Sequence, residues 1–134
     1  MEFEEIKSVK TLAIECCKEE NYKYEILISG DLLLKYQGMK IIIDNDERDP
    51  LYLRMYMLSS IDSEIDKIKL LKVLADVSKQ KKLLKGYYDE DTVCLSVETF
   101  IDKNSNLESF SEIFNRCLVI LGQGFVLFRL KIFE

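Results

Sequence analysis

Residues 24–58, YEILISGDLLLKYQGMKIIIDNDERDPLYLRMYML, decide the fold. Apolar side chains occupy every second position in four short runs, which is the period of a strand that buries one face. The members are Tyr24, Ile26, Ile28, Leu32, Leu34, Tyr36, Met39, Ile41, Ile43, Leu51, Leu53, Met55 and Met57. Turn-forming residues separate the runs, namely Gly30 with Asp31, Gln37 with Gly38, and the acidic loop at 45–50. The stretch predicts an antiparallel meander of four strands.

Helical periodicity flanks the meander on both sides. Residues 3–20 predict an amphipathic helix. Its apolar residues are Phe3, Ile6, Val9, Ala13 and Cys17. Ser63 and Asp66 form a capping-box pattern that opens a second helix, which runs to about residue 81. Its predicted buried residues are Ile61, Ile65, Ile68, Leu71, Leu74 and Ala75. A hairpin follows at 83–100, with its turn at 89–91 and with Val93, Leu95 and Val97 on one side.

The last segment fits two structures. Cap residues at 104–106 open a helical stripe. The stripe consists of Leu107, Phe110, Phe114, Cys117, Leu118, Leu121, Phe125, Phe128 and Ile132. Gly122 and Gly124 each cost a helix roughly 1 kcal/mol, and the residues after them also alternate as a strand would. The helix is favoured because its stripe passes through both glycines in register. The sequence thus predicts one α+β domain, residues 1–134, with a meander-plus-hairpin antiparallel sheet and an N-terminal, a middle and a C-terminal helix.

Composition narrows the classes of function. The chain has 134 residues and a net charge of −5, which disfavours nucleic acid and anionic membranes as partners. The acidic residues 1–5 are unlike a signal peptide, and no apolar run approaches the ~18 residues of a membrane span. The cytoplasm is the expected location. Four cysteines without a Cys-x-x-Cys pair are expected to be reduced core thiols.

Reaction chemistry is missing from the sequence. There is no histidine, and no glycine-rich phosphate loop is present. A calcium loop starting at Asp44 would need glycine and glutamate where Asp49 and Met55 stand. We therefore predict no catalytic residue, no metal site and no cofactor, and we expect that the chain is not an enzyme.

The second face of the predicted sheet is the candidate site. If Ile26, Leu34, Ile41, Leu53 and Leu95 point inward, then Leu27, Leu33, Ile42, Tyr52, Tyr56 and Cys94 point outward among polar residues. A face this apolar is typical of a contact surface. The predicted partner-binding residues are Leu27, Leu33, Ile42, Tyr52, Arg54 and Tyr56. The alternative is that the C-terminal helix covers this face within the same chain.

Three motifs carry a family resemblance. GDLLLKY at 30–36, IIID at 41–44 and DPLYLRM at 49–55 resemble the YbjN-like family, whose fold is shared with type III secretion chaperones. The chain departs from the family at Ser78, where asparagine is usual, and at Gly122 and Gly124. The resemblance implies a non-enzymatic, usually dimeric domain. In the chaperone branch it holds an extended client segment against an apolar sheet face, and in the YbjN branch its role is regulatory.

Two functions follow as hypotheses. The first is a protein-binding domain, chaperone- or adaptor-like and expected to be a homodimer, that engages an extended segment or client through the half-apolar sheet face. The second is a regulatory, sensory domain that binds a small ligand in a pocket between sheet and helices. Tyr36, Tyr87 or Tyr88 would supply polar groups to that pocket.

Overall fold

The computed structural model describes residues 6–134, which form three helices and one six-stranded antiparallel sheet. The elements are α1 (Val9–Glu20), β1 (Lys23–Ile26), β2 (Leu32–Tyr36), β3 (Met39–Ile43), β4 (Tyr52–Ser60), α2 (Lys67–Gln80), β5 (Leu84–Asp89), β6 (Thr92–Phe100) and α3 (Leu107–Ile132). The predicted α+β fold, with its meander, hairpin and three helices, is confirmed. The helical prediction for Phe3 lies outside the described residues.

The sheet joins the meander to the hairpin through the two longest strands. Its order is β1-β2-β3-β4-β6-β5, so β6 pairs with β4 and leaves β1 and β5 at the edges. The β2–β3 turn has positive φ at both central residues, 49° at Gln37 and 79° at Gly38. This is the conformation that tight antiparallel hairpins require, and glycine adopts it without strain.

All three helices pack on one face of the sheet, which we call the inner face. α3 runs unbroken through its two glycines and buries Phe110, Phe114 and Phe128. The strand alternative for the C-terminal segment is therefore wrong. The glycines fit because α3 lies close to other elements. A Cβ on Gly124 would stand 2.5 Å from a Leu84 methyl, and one on Gly122 would stand 3.0 Å from the methyl of Met39.

α3 has another property that the sequence reading missed. By length and composition alone it is apolar enough to cross a membrane, contrary to the expectation that no segment would be. Phe110, Phe114 and Phe128, however, are buried in the core that α3 forms with the sheet, α1 and α2. One side of α3 therefore belongs to the core, whereas Val119, Val126 and Leu130 on its other side are exposed.

The middle helix, α2, begins later than predicted and buries a different side of its surface. Asp66 is itself the N-cap and accepts a hydrogen bond from the Ile68 amide at 2.9 Å, so the capping box from Ser63 is wrong. The buried residues are Leu70, Val73, Leu74 and Val77. Ile68, Leu71 and Ala75 are exposed. α2 carries aliphatic residues on two sides, and packing against β5 and α3 selects the side that periodicity alone could not.

The first strand also departs from its prediction. Ile26 was expected to point into the core, but its side chain is 54% exposed, and Ile28 lies in the following turn, fully exposed. β1 is an edge strand, and the helical layer does not extend over its end. All four cysteines are free and buried, and Cys16, Cys17 and Cys117 lie in the core as predicted, whereas Cys94 lies on the other face of the sheet.

Candidate functional site

The opposite face of the sheet, which we call the outer face, is not covered by any helix in the described part of the chain. Its central row crosses all six strands in register and consists of Glu25, Leu33, Ile42, Tyr56, Ser96 and Lys85. α3 lies on the inner face, beside Met39 and Leu84. The alternative, in which the C-terminal helix covers the outer face, is therefore wrong.

Apolar side chains on the outer face remain in contact with solvent. Leu58 is 57% exposed and Phe100 is 69% exposed, while Leu33, Ile42 and Tyr56 are half-buried by their neighbours in the sheet. The rings of Phe100 and Tyr52 touch, with centroids 5.4 Å apart. The face is a mixed surface of leucine, isoleucine and aromatic rings, as the alternation of β2, β3 and β4 predicts.

Arg54 is the centre of the polar part of this face. Its guanidinium donates to Asp44 Oδ2 at 3.0 Å and lies 3.9 Å from Glu98 Oε1. It also stacks over the Tyr56 ring at 4.3 Å and reaches the Tyr87 hydroxyl at 3.4 Å. Burial works against the charge, but the bond to Asp44 outweighs it and raises the pKa of Arg54. The guanidinium is therefore fixed and permanently charged.

Glu98 links Arg54 to Tyr52 at the start of β4. The Tyr52 hydroxyl donates to Glu98 Oε2 at 2.5 Å, and Lys85 Nζ lies 3.3 Å from Oε1. The hydrogen bond from Tyr52, together with Lys85 and Arg54, lowers the pKa of Glu98. Burial, and then the bond to Glu98, raises the pKa of Tyr52 to about 12. Tyr52 therefore stays protonated and donating at neutral pH.

Two small polar groups lie beneath this network. Cys94 is 3% exposed and pairs in register with Tyr87, while an Arg54 nitrogen lies 4.0 Å from its sulfur. The bond with the thiol, and then burial, raises the pKa of Tyr87. Ser96 is fully buried, and its hydroxyl has no hydrogen-bond partner within residues 6–134.

A row of lysines runs beside the central row. Lys23 on β1 pairs in register with Lys35 on β2, which pairs with Lys40 on β3. All three side chains are exposed, and none forms an ion pair with a carboxylate of the described chain. Like charges directly opposite each other on a sheet are unfavourable. We call Lys23, Lys35 and Lys40 the lysine row.

The structure brings together five of the six predicted site residues. Leu33, Ile42, Tyr52, Arg54 and Tyr56 all lie on the outer face, as the alternation predicts. Leu27 does not, because β1 ends at Ile26. The Leu27 amide and carbonyl instead bond Asp31 and Gly30 within the hairpin turn.

Other residues of the face were missed as site residues. They are Asp44, Leu58, Tyr87 and Phe100. Leu58 and Phe100 could have been found by extending the same alternation along β4 and β6. Asp44 and Tyr87 could not, because their contacts with Arg54 depend on how neighbouring strands pair.

A separate groove opens at one end of the inner layer. It has a volume of about 750 Å³ and lies between the β2–β3 turn, the end of α2 and α3. Tyr36, Met39, Lys81, Val119, Phe125 and Leu130 are among its lining residues. Of the three tyrosines proposed for a ligand pocket, only Tyr36 lines this groove. Tyr87 lies on the outer face, and Tyr88 lies near Lys67.

Side chains that could ligate a metal are scattered through residues 6–134. No group of three or more histidine, cysteine, aspartate or glutamate side chains is arranged there to hold an ion. In the acidic loop, Asp46 caps its own turn by accepting from the Arg48 amide, and Asp44 is paired with Arg54. These carboxylates are used in local structure.

Comparison with known proteins identifies the fold. No family model and no curated protein matches the chain. The crystal structure of YbjN, a putative transcription regulator from E. coli, superposes with a TM-score of 0.68 over 84% of each chain, at 7% identity. The chain has a YbjN-like fold.

A second solved structure agrees with this fold. It is an uncharacterized protein from Methanothermobacter thermautotrophicus, matched with a TM-score of 0.50 at 12% identity over 87% of this chain and 96% of that one. At these identities the likeness establishes the YbjN-like fold alone. The function has to be argued from the outer face itself.

Proposed function

We propose that this YbjN-like domain is a non-enzymatic, chaperone- or adaptor-like protein that binds a partner polypeptide through the outer face of its sheet. The observation that carries the proposal is the exposed apolar surface of that face, from Leu33 and Ile42 to Leu58 and Phe100, which no helix among residues 6–134 covers. An antiparallel sheet with one solvated face ordinarily places polar residues there.

The residue types on the face support a contact surface. Tyrosine and arginine are the side chains that contribute most at protein interfaces. Here Tyr52, Tyr56 and Arg54 are held in place by hydrogen bonds, an ion pair and ring stacking, so little side-chain freedom is lost when a partner binds. YbjN is itself described as a putative transcription regulator, which fits a role in binding and not in catalysis.

The direct test compares two matched double variants. Leu58→Glu with Phe100→Glu places charges on the outer face, and Ile68→Glu with Leu71→Glu places the same charges on α2. All four side chains are more than half exposed, so both variants should fold. We expect that partners recovered from cell extract by the native chain are lost with the first variant and kept with the second. Equal recovery by both variants would refute the proposal.

The second candidate, a regulatory domain for a small ligand, is favoured by the groove. Its walls are mostly apolar, and the polar groups are supplied by Tyr36, Gln37, Gln80, Lys81 and Gln123, a mixture typical of ligand pockets. A ligand present at ~100 times its Kd would add roughly 2.7 kcal/mol to the free energy of unfolding. A metabolite that raises the Tm of the native chain, but not that of Val119→Glu, would establish this function.

A further inference from the structure

We propose that the partner of the outer face is an amphipathic helix with an acidic stripe, whose carboxylates contact the lysine row while its apolar side contacts Leu33, Ile42 and Tyr56. This inference rests on the proposed function and names the chemistry of the partner. It follows from the charges that the face leaves free and from the spacing of its residues.

The lysine row, unlike Arg54 and Lys85 of the same face, has no carboxylate partner in the described chain. Lys23, Lys35 and Lys40 stand in register on three adjacent strands, with exposed side chains and without an ion pair in residues 6–134. Each lysine faces another lysine across the strands, an arrangement that is unfavourable by itself. An anionic group above the row would remove that repulsion.

Three acidic groups of the same face are already engaged, whereas Glu25 on the edge strand is exposed and forms no ion pair within residues 6–134. Asp44 pairs with Arg54, Glu98 binds Tyr52 and Lys85, and Asp31 accepts from the Asn45 amide at 2.8 Å. A second copy of this chain would therefore bring few free carboxylates to the lysine row. The lysine row can therefore pair with the carboxylates of a different, acidic partner, although the whole chain has a net charge of −5.

The spacing of the lysine row fits a helix better than an extended strand. Neighbouring strands lie ~4.8 Å apart, so the three lysines leave the sheet at intervals of about that length. Residues at i, i+3 and i+7 on a helix advance by about 4.5 and 6 Å. Side chains on one side of an extended segment repeat every ~6.7 Å, which falls out of step with the row.

The apolar contacts lie within reach of the same helix. Leu33 and Ile42 are two residues along their strands from Lys35 and Lys40, a separation of ~6.7 Å. A helix with its side chains is about 10 Å across. One helix lying across β1–β4 therefore covers the lysine row with one stripe and Leu33, Ile42 and Tyr56 with the adjacent stripe.

The test uses a designed peptide of about 20 residues, a length at which a helix can form in water. Glutamate occupies one stripe and leucine the next, and a matched peptide carries glutamine in place of glutamate. Binding is measured by fluorescence anisotropy. We expect the glutamate peptide to bind the native chain and to weaken about tenfold with Lys35→Gln/Lys40→Gln, the equivalent of two ion pairs. The matched control, Lys72→Gln/Lys79→Gln, removes the same charge from exposed positions of α2 and should bind as the native chain does.

Three results would overturn the inference. The first is that the glutamate and glutamine peptides bind equally. The second is that Lys35→Gln/Lys40→Gln binds as tightly as the α2 control. The third is a homodimer in sedimentation equilibrium that buries the face and excludes the peptide. If partner recovery still depends on Leu58 and Phe100 while the lysine variant has no effect, this inference fails and the proposed function stands.

Discussion

The two faces of one sheet differ in what holds them together. The inner face is packed with leucine, isoleucine, methionine and phenylalanine, and the three helices close it to water. The outer face is built from the alternate residues of the same strands, yet it joins Tyr52, Arg54 and Glu98 through hydrogen bonds and ion pairs and leaves leucines exposed. Burial of the inner face is therefore expected to supply the stability, because hydrophobic burial outweighs ion pairs near solvent.

Because the inner face supplies most of the stability, substitutions on the outer face should cost less free energy of unfolding than substitutions on the inner face. A substitution on the outer face removes contacts that are partly solvated, whereas one on the inner face opens a cavity. The following predictions use pairs of variants that separate the two faces, beginning with the largest expected difference.

Phe114→Ala should give the largest loss of stability. Phe114 is fully buried and stacks on Phe110 with ring centroids 5.4 Å apart, so we expect the free energy of unfolding to fall by about 3–5 kcal/mol. Tyr56→Ala on the outer face should cost about 1 kcal/mol, because its ring is half exposed and its main partner is Arg54. Urea unfolding of both variants measures the difference. Equal losses would show that the two faces contribute equally to the free energy of unfolding.

The two glycines of α3 should respond in opposite directions to alanine. Gly124→Ala places a methyl group against buried Leu84, and we expect a net loss of about 1 kcal/mol after the helical gain is counted. Gly122→Ala meets only the terminal methyl of Met39, which can move, so the gain of up to ~1 kcal/mol should prevail. Thermal unfolding compares them. A loss of the same size in both would mean that α3 packs equally closely at each position.

The charge of Glu98 should contribute a pH-dependent stability of less than ~1 kcal/mol. Its folded pKa is lowered, chiefly by the Tyr52 hydroxyl, from the ordinary value of 4.5. The contribution is therefore fully present above pH 4.5 and lost as the pH falls through the folded pKa. We expect Glu98→Gln to be less stable than the native chain at pH 6.5, and we expect the difference to shrink as the pH falls below 4.5. A difference that stays constant over this range would contradict the assignment.

Tyr87→Ala should change stability least but uncover one thiol. Cys94 is the cysteine of the outer face, closed off by Tyr87 and Arg54, whereas the others lie in the inner core. Burial raises the pKa of Cys17 to about 12 and that of Cys117 to about 11, which keeps these thiols unreactive. In the folded variant, Ellman's reagent should label one thiol per chain. The matched change Tyr88→Ala should leave all four unlabelled, and equal labelling of both variants would show that Tyr87 does not cover Cys94.

The sequence predicted burial best where a single local pattern determines which side chains face the core. Period-two alternation places Leu34, Ile41 and Leu53 inside and Leu33 and Ile42 outside, and the structure confirms each. The helical stripe of α3 also survives its glycines, because close packing favours glycine at those positions despite its low helix propensity.

Tertiary packing decided the rest. α2 has two apolar sides, and its local sequence does not show which one packs against β5. The prediction of its buried side was therefore wrong. Ile26 obeys the strand pattern but lies at an edge beyond the helices, which alternation does not reveal. The lysine row also depends on strand register, because Lys23 and Lys35 are distant in sequence and adjacent only in the sheet.

Site-specific photocrosslinking tests the central claim most directly. A photoreactive phenylalanine analogue replaces Leu58 on the outer face or Leu71 on α2, two side chains of similar exposure. On irradiation in cell extract, we predict a crosslinked partner from position 58 and none from position 71. Crosslinks from position 71 alone, or equally from both, would contradict the claim that the outer face is the binding surface.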